Sequence, residues 1–331
     1  MSGARYLALS GGVGGAKLAL GLTHAVPPEQ LCIIANTGDD FEHLGLTICP
    51  DIDTLTYTLA GLNNPETGWG RAGETGTFMA ALEALGGETW FFLGDGDLAT
   101  HVERSRRLAA GETLSAVTDD FRRRLGIGAA IVPMSDRPVR TTVLTSDGPL
   151  AFQHYFVREQ CRPEVAGFRF DGADVAEPAP ALAATLADPD LAAIVICPSN
   201  PFISIDPILA VPGVRDAIVE SPAPVIAVSP IVGGQAIKGP TAKMMRELGL
   251  PSTAVEVARH YAGLIDGFVL DQGDADTADA IRDLGIAVTV TNTVMTSLAD
   301  RIALAEAVLA FAAGMPRVSM ADALTASTGP T

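Results

Sequence analysis

Short apolar runs alternate with helical patterns along most of the chain. An apolar run at residues 6–9 leads into a glycine-rich turn and then into a helical pattern at 18–22, and a second apolar run occupies 31–35. Apolar runs of this length are typical of buried strands, and a helix between two of them is typical of a parallel crossover. The first 60 residues therefore predict a βαβ unit.

The same rhythm returns at about residue 180, after a middle region with a different pattern. Residues 75–85, 98–110 and 113–125 predict helices, with Thr113 as a start signal, and 89–93 predicts a strand. Residues 130–133, 140–144 and 150–156 alternate as antiparallel strands do. Further on, strands are expected at 192–197, 224–228, 268–270 and 286–290, and helices at 181–187, 241–248, 253–261, 275–284 and 300–313, the last ending at Gly314.

These elements predict an α/β fold, a doubly wound and mainly parallel Rossmann-like sheet with an inserted smaller α+β subdomain. We expect the nucleotide- or phosphate-binding core to comprise residues 1–128 and 180–315. The inserted antiparallel strands would occupy 129–179. Residues 316–331 would form a tail, frayed over 325–331.

Composition is consistent with a cytoplasmic globular protein. The chain has 331 residues, of which 48% are hydrophobic, enough for a large core. No uncharged apolar run reaches the roughly 18 residues that a membrane span needs, and no signal peptide is recognisable. The four cysteines have no CxxC spacing, which favours buried, reduced thiols over a zinc site.

The net charge of −17 restricts the possible partners. It disfavours nucleic acids and anionic membranes, because both would be repelled. An anionic small substrate would need local compensation from a helix N-terminus, a bound cation and a few basic side chains. The candidates are Lys17, Arg71, Arg104, Lys238 and Lys243.

The glycine-rich turn is the first candidate binding feature. Glycines ahead of a helix leave backbone N–H groups free to hold phosphate oxygens. Lys17 breaks the dinucleotide pattern GxGxxG, and Ala16 breaks the Walker pattern, so the turn could also be only a tight connection. The candidate phosphate-binding residues are Gly11, Gly12, Gly14, Gly15 and Lys17.

Two acidic turns follow this phosphate-binding candidate. Asp39 and Asp40 follow the second predicted strand, after Asn36 and Thr37, and a second pair, Asp51 and Asp53, comes soon after. Each pair could simply cap a helix, and Asp53 with Thr54 could start one near Leu55. Carboxylates at neighbouring strand ends could instead hold a hard divalent cation against a phosphate.

Other strand-exit turns are expected at the same rim of the sheet. Asp95 could be a turn residue, whereas His101 and Arg104 lie one helical turn apart and could face the same ligand. Trp69 and Trp90 are expected to be packing residues. The remaining candidate substrate-binding residues are Ser199, Asn200, Ser229 and Gly233.

Taken together, the motifs resemble the 2-phospho-L-lactate transferases over about residues 6–312. Each motif alone is weakly specific, whereas their order along the chain is specific. The stretches that carry the resemblance are SGGVGGAK at 10–17, NTGDD at 36–40, PDIDT at 50–54, LATH at 98–101, PMSD at 133–136, PSNP at 198–201 and SPIVG at 229–233.

The resemblance implies an enzyme of deazaflavin coenzyme biosynthesis. Such transferases need Mg²⁺, are usually dimeric, and move a phosphoacid from a GMP-activated donor to the ribityl hydroxyl of 7,8-didemethyl-8-hydroxy-5-deazariboflavin, releasing GMP. Applied to this chain, the resemblance implies catalytic roles for Asp39, Asp51 and Asp53, and metal binding by Asp39, Asp40 and Asp51.

One departure leaves the donor acid open. The family usually reads Gly-Asp-Arg-Asp where this chain has Gly96 in the third place, so lactate, enolpyruvate and glycerate forms all remain possible, with Arg71, Arg104 or Arg137 as replacement cations. Two alternatives also remain. One is a non-catalytic nucleotide-sugar-binding regulator of the gluconeogenesis-factor type, and the other, disfavoured by the broken GxGxxG, is a nicotinamide oxidoreductase.

Overall fold

The computed structural model describes residues 5–315 as alternating strands and helices. The first half contains β1 (Arg5–Ser10), α1 (Gly12–Ala25), β2 (Leu31–Ala35), β3 (Phe41–His43), β4 (Leu46–Ile48), α2 (Pro50–Leu59), α3 (Thr77–Ala84), α4 (Asp95–Ala109), α5 (Leu114–Arg124), β5 (Ala130–Pro133), β6 (Arg140–Thr145), β7 (Gly148–Ala151) and β8 (Val165–Asp171). The second half contains α6 (Pro180–Leu186), β9 (Leu191–Ile196), α7 (Asp206–Leu209), α8 (Val214–Val219), β10 (Val225–Val228), β11 (Ile231–Val232), β12 (Gln235–Ala236), α9 (Thr241–Glu247), α10 (Ala254–His260), β13 (Gly267–Asp271), α11 (Ala278–Arg282), β14 (Ala287–Thr291) and α12 (Leu298–Ala313).

A seven-stranded parallel sheet forms the centre, in the order β14–β13–β10–β9–β1–β2–β5. The chain builds this sheet outward from β1 in one direction and then returns to β9 to build it in the other. This confirms the predicted α/β, doubly wound class. The reversal between β1 and β9 creates a switch point, where ligands of such sheets bind. The predicted tail, residues 316–331, lies outside the described part of the chain.

Successive residues of each central strand enter different cores. In β1, Leu7 and Leu9 are buried on one face with Leu182 of α6 and Ile218 of α8, whereas Ala8 is buried on the other. Helices α1, α2, α5 and α12 contribute to that second core. Strands buried on both faces explain why the sequence shows continuous apolar runs instead of alternation.

The antiparallel sheet is smaller than the sequence suggests. It has three strands in the order β7–β6–β8. Ala130–Pro133, which we expected in the inserted subdomain, pairs in parallel with β2 at the edge of the main sheet, so that expectation is wrong. A four-residue apolar run carries no information on whether its neighbour runs parallel or antiparallel.

Two other predicted strands are also wrong. Residues 89–93 form no strand. The side chains of Trp90 and Phe91 pack on Phe41 and His43, so a small satellite core and not a sheet explains the apolar run. The strand expected over 150–156 ends at Ala151, and a π-helical turn, His154–Arg158, follows it.

The residues at which the helices begin determine where the candidate acidic side chains lie. Thr113 starts α5 as predicted, because its hydroxyl accepts a hydrogen bond from the Ala116 amide at 3.2 Å. By contrast, α2 begins at Pro50, so Asp53 lies in its first turn and does not cap it. Helix α4 begins at Asp95, earlier than expected. Between residues 5 and 315, none of the helices combines the length and the hydropathy that crossing a membrane would require.

Candidate active site

A cavity of about 520 Å³ opens at the carboxyl edge of the main sheet, beside the switch point between β1 and β9. Strand exits form its floor. Residues from the segments 67–70, 90–92 and 152–157 form its walls. Among the lining residues are the strand-exit residues Gly11, Gly12, Gly14, Asn36, Asp39, Pro198, Ser199, Asn200, Ser229 and Thr293.

The N-terminus of α1 lies at this cavity and is already anchored by an acid. The amide of Gly12 donates a hydrogen bond to Oδ1 of Asp51 at 2.6 Å. A side chain at Gly14 would collide with the carbonyl oxygen of Pro198, so the exits of β1 and β9 approach as closely as only glycine allows. The glycine turn therefore fixes the position of the helix N-terminus, where an anion would be favoured.

Asp39 and Asp51 form a buried acidic pair beside this turn. The side-chain amide of Asn36 donates to Asp51 at 3.0 Å and to Asp39 at 3.4 Å. Burial, followed by the charges of Asp51 and Asp40, raises the pKa of Asp39 well above its usual range. Burial raises the pKa of Asp51 to about 6, against the effect of its bonds to Asn36 and Gly12.

This pair fits a hard divalent cation. Both carboxylates line the cavity, burial raises the pKa of each, and neither forms an ion pair with a lysine or arginine in the part of the chain that the structure describes. Carboxylate oxygens are the donors that Mg²⁺ prefers. The residues are therefore suited in charge and in ligand chemistry to holding magnesium.

Asp40 lies behind the cavity and does not line it. Its carboxylate is 4.0 Å from the guanidinium of Arg140 and is hydrogen-bonded by the thiol of Cys49. Burial raises the pKa of Asp40 to about 7. Asp40 therefore adds its charge to the environment of Asp39 without lining the cavity.

Asp53 and Asp97 form a second acidic group with internal compensation. The guanidinium of Arg104 bonds both carboxylate oxygens of Asp53, and Arg104 is 1% exposed. His101 lies between the two acids, with Nδ1 3.7 Å from Asp53 and Nε2 3.2 Å from Asp97. The hydroxyl of Tyr57 donates to Asp97 at 2.5 Å.

The electrostatics of the two acidic groups differ. Burial alone would raise the pKa of Asp97, but hydrogen bonds from His101 and Tyr57 hold it below its usual range. One ligand atom from each of Asp53, Asp97 and His101 lies within 4.8 Å of the others, a spacing that could hold a metal ion. Because Arg104 already neutralises Asp53, this second group has less need of a cation than Asp39 and Asp51.

Two lysines, Lys17 and Lys238, line the cavity. Nζ of Lys17 donates to the carbonyl of Met295 at 3.0 Å, and Nζ of Lys238 donates to the carbonyl of Thr67 at 3.4 Å. Burial and then the charges of Arg301 and Lys238 lower the pKa of Lys17. Positive charge is thus concentrated here, and an anionic ligand group would relieve the repulsion.

Aromatic side chains form much of the remaining wall. Trp69 is 57% exposed, which contradicts its expected role as a packing residue. Trp90 does pack, with its ring centroid 5.1 Å from His43 and 4.9 Å from His154, yet it also lines the cavity. Phe91 and Phe92 extend this wall. The cavity therefore offers faces and edges on which a planar ring could stack.

Comparisons with known proteins give the family of the chain. Residues 7–299 match the family described as "2-phospho-L-lactate transferase CofD". A phosphoenolpyruvate transferase of Streptomyces griseus is 42% identical over 93% of this chain and 98% of the relative, and that of Thermobifida fusca is 41% identical over 83% and 89%. A crystal structure of a UPF0052 family protein from Bacillus halodurans superposes with a TM-score of 0.61 at 16% identity, covering 93% of this chain and 99% of that one, a likeness in fold alone.

The chain belongs to the CofD family. It is a phosphoacid transferase of coenzyme F420 biosynthesis, as the resemblance implied, and not the binding regulator or the oxidoreductase.

Most of the candidate residues of the transferase lie at the cavity. Ser199, for example, connects the turn after β9 to the turn after β1. Its hydroxyl accepts a hydrogen bond from the Gly11 amide and donates one to the Gly11 carbonyl. The predicted residues that line the cavity are Gly11, Gly12, Gly14, Lys17, Asn36, Asp39, Asp51, Asp53, His101, Ser199, Asn200 and Ser229.

The other predicted residues lie outside the lining and have structural contacts. Asp95 bonds the hydroxyl of Thr75 and the amide of Phe78, and the amide of Gly233 donates to the carboxylate of Asp274. A side chain at Gly15 would collide with Ser10. Besides these, Thr37, Asp40 and Arg104 are outside the lining.

Sequence reasoning missed several cavity residues of the transferase. Asp97 is not among the predicted site residues, although Asp97 and His101 are four residues apart and therefore share a helix face. That spacing was available as a signal once α4 is taken to begin at Asp95. Nothing in the local pattern pointed to Tyr57 or Trp69, which reach the cavity through the tertiary fold.

Proposed function

We propose that this transferase, as a Mg²⁺-dependent homodimer, moves a phosphoenolpyruvate-type acid from a GMP-activated donor to the ribityl hydroxyl of 7,8-didemethyl-8-hydroxy-5-deazariboflavin and releases GMP. The names of the 37–42% identical relatives support the choice of acid. The observation that carries the proposal is the uncompensated pair Asp39–Asp51 beside the N-terminus of α1.

The proposed reaction breaks the bond between the β-phosphorus of the donor and the oxygen that bridges to GMP. The ribityl oxygen forms the new bond to that phosphorus, and its proton passes to a cavity carboxylate. Magnesium, when held by Asp39 and Asp51, supplies electrostatic stabilisation of the phosphate charge. The α1 N-terminus and Lys17 hold phosphate oxygens, which fixes the geometry for attack.

Arg71 lies close to the position at which the family usually has an arginine and this chain has Gly96. A Cβ placed on Gly96 would lie 3.3 Å from Nε of Arg71, and the Arg71 guanidinium lies 5.4 Å from the ring centroid of Tyr57. Arg71 therefore brings a cation into the neighbourhood of position 96. We propose that it replaces the arginine that the family usually has there.

Replacement of Asp51 by Asn tests the proposal directly. The variant keeps the shape of the side chain but removes one of the two charges that hold magnesium. We expect transfer at saturating magnesium to fall by about 100-fold or more. The assay is the release of GMP and the mass of the deazaflavin product, measured with each candidate guanylated acid.

Asp279→Asn is the matched control, because the side chain of Asp279 is 92% exposed and pairs only with Arg282 among the described residues. It should transfer at the rate of the parent enzyme. Near-normal turnover in Asp51→Asn would remove Asp51 from the mechanism. A product formed only with a lactyl or glyceryl donor would refute the proposed acid.

A further inference from the structure

Asp97 is a cavity carboxylate that is held by two neighbouring side chains of the cavity, Tyr57 and His101. Tyr57 donates to Oδ1 at 2.5 Å, and Nε2 of His101 lies 3.2 Å from Oδ2. The backbone amide of Asp97 donates to Glu74 at 2.8 Å. These contacts fix the carboxylate in one orientation while it still lines the cavity, with its side chain 18% exposed.

An ionised carboxylate held in this way acts only as a hydrogen-bond acceptor. A phosphate or a carboxylate of the donor would be repelled by it, whereas a hydroxyl group could donate to its remaining lone pairs. Each carboxylate oxygen accepts more than one hydrogen bond, so the contacts from Tyr57 and His101 do not exhaust them. The chemistry therefore selects a ligand group that donates hydrogen bonds, as a hydroxyl group does.

The neighbouring wall adds a second requirement. Trp90, Phe91 and Phe92 line the same cavity and precede Asp97 in the chain by a few residues. Trp69 also lines the cavity and adds a further exposed indole ring. A ligand that meets both the aromatic wall and Asp97 would combine a flat ring with a hydroxylated carbon chain.

We propose that Asp97 is the hydroxyl-recognising residue of this site, accepting hydrogen bonds from non-reacting hydroxyls of a pentose-derived chain attached to an aromatic ring. Resting on the proposed function, this inference gives Asp97 a role in substrate choice and not in the chemical step. Two ligands present this chemistry, the ribityl chain of the deazaflavin and the ribose of the guanine nucleotide. The aromatic side chains that line the same cavity offer stacking surface for a fused ring, and we assign the deazaflavin on that ground.

The test measures equilibrium binding with the full chain, without turnover. Three ligands are titrated by fluorescence or calorimetry: the deazariboflavin, a deazaflavin that carries a plain alkyl chain in place of the ribityl group, and GMP. The proteins are the parent, Asp97→Asn, and Glu103→Gln as a control that removes one carboxylate from the exposed face of the same helix.

The parent and Glu103→Gln should bind the deazariboflavin about 10-fold or more tightly than the alkyl analogue, whereas Asp97→Asn should bind the two with nearly equal affinity. GMP affinity should be the same in all three. At saturating acceptor, the turnover number of Asp97→Asn should stay within a few-fold of the parent while its KM for the acceptor rises.

Three results would overturn the assignment. If Asp97→Asn lost affinity for both deazaflavins equally, Asp97 would have a structural role. If the variant still preferred the deazaflavin with the ribityl chain, Asp97 would have no role in binding it. A loss confined to GMP would place the nucleotide ribose, and not the deazaflavin, at Asp97. If the parent bound no deazariboflavin at all, the proposed function itself would fail, which is a different outcome from any of these.

Discussion

Arg104 lies in the protein interior with its guanidinium on both oxygens of Asp53. Burial would lower the pKa of Arg104, but the charge of Asp53 raises it, so the guanidinium stays charged in the interior. Removing one partner of a buried ion pair leaves the other charge without compensation. Arg104 thus holds Asp53 in place and does not itself contact the cavity.

Arg104→Met should therefore destabilise the protein by about 3–5 kcal/mol. Arg106→Met, in the same helix, should change the stability by less than about 0.5 kcal/mol, because its partnership with Glu103 is exposed. Urea unfolding followed by tryptophan fluorescence measures both. A stable Arg104→Met variant that loses only donor affinity would instead restore Arg104 as a substrate ligand.

Single residues were predictable from the sequence where a motif is local. Asp39 could be found because it follows a predicted strand, and Asp51 because it belongs to the second acidic turn soon after it. Asp95 was predicted and Asp97 was not, because the role of Asp97 depends on where α4 begins and on which helix face meets Tyr57. Burial of Arg104 was equally invisible, since a charged residue in a helix is usually exposed.

At the scale of elements, the packing of α1 against α12 depends on one glycine. A Cβ at Gly21 would collide with the carbonyl oxygen of Arg301 in α12. The absence of a side chain therefore lets the two helices approach closely, behind the glycine turn and Lys17. A shift of α12 would also move the loop that carries Met295, the acceptor for Lys17.

Gly21→Ala should lower the stability of the protein by about 1–2 kcal/mol, because overpacking outweighs the gain in helix propensity that alanine brings. His24→Ala, one turn away on the exposed side of α1, should change it by less than about 0.5 kcal/mol. Thermal unfolding compares the two. If Gly21→Ala stabilised the protein, α12 could move away from α1 with little loss of free energy.

The type of an element was predictable where burial and the spacing of apolar residues agree, as in the continuous apolar runs of β1, β2, β9 and β10. The prediction failed where an apolar run is buried by something other than a sheet. Residues 89–93 are rich in aromatic side chains, which favour strands, yet they form a cavity wall and a satellite core. The local pattern records that these residues are buried or half-buried, not what covers them.

For the whole molecule, the buried acids carry a cost that depends on pH. The folded pKa of Asp51 is about 6 against an ordinary 3.8, so between these values the folded state binds the proton more tightly than the unfolded state. Stability from this group is thus greatest below pH 4 and falls as pH rises towards 7. Bound magnesium would offset this loss by favouring the ionised carboxylates.

In the presence of a chelator, Asp51→Asn should therefore gain stability relative to the parent by up to about 3 kcal/mol between pH 4 and pH 7.5. Magnesium at pH 7.5 should reverse the order by stabilising the parent more than the variant. Urea unfolding at the two pH values, with and without magnesium, measures both effects. A difference that is constant with pH would show that Asp51 is ionised at no cost.

The sequence by itself determined the fold class, the family and the main acidic pair. A strand that is apolar at every position must be covered on both faces, which is typical of parallel sheets. The turns that follow parallel strands all lie at the same edge of the sheet. The tertiary structure alone decided which acids are compensated. Compensation depends on distance and burial. It joins Asp53 to Arg104 and Asp97 to Tyr57, whereas among residues 5–315 no lysine or arginine forms an ion pair with Asp39 or Asp51. Because residues 40 or more positions apart make these contacts, no local pattern encodes them.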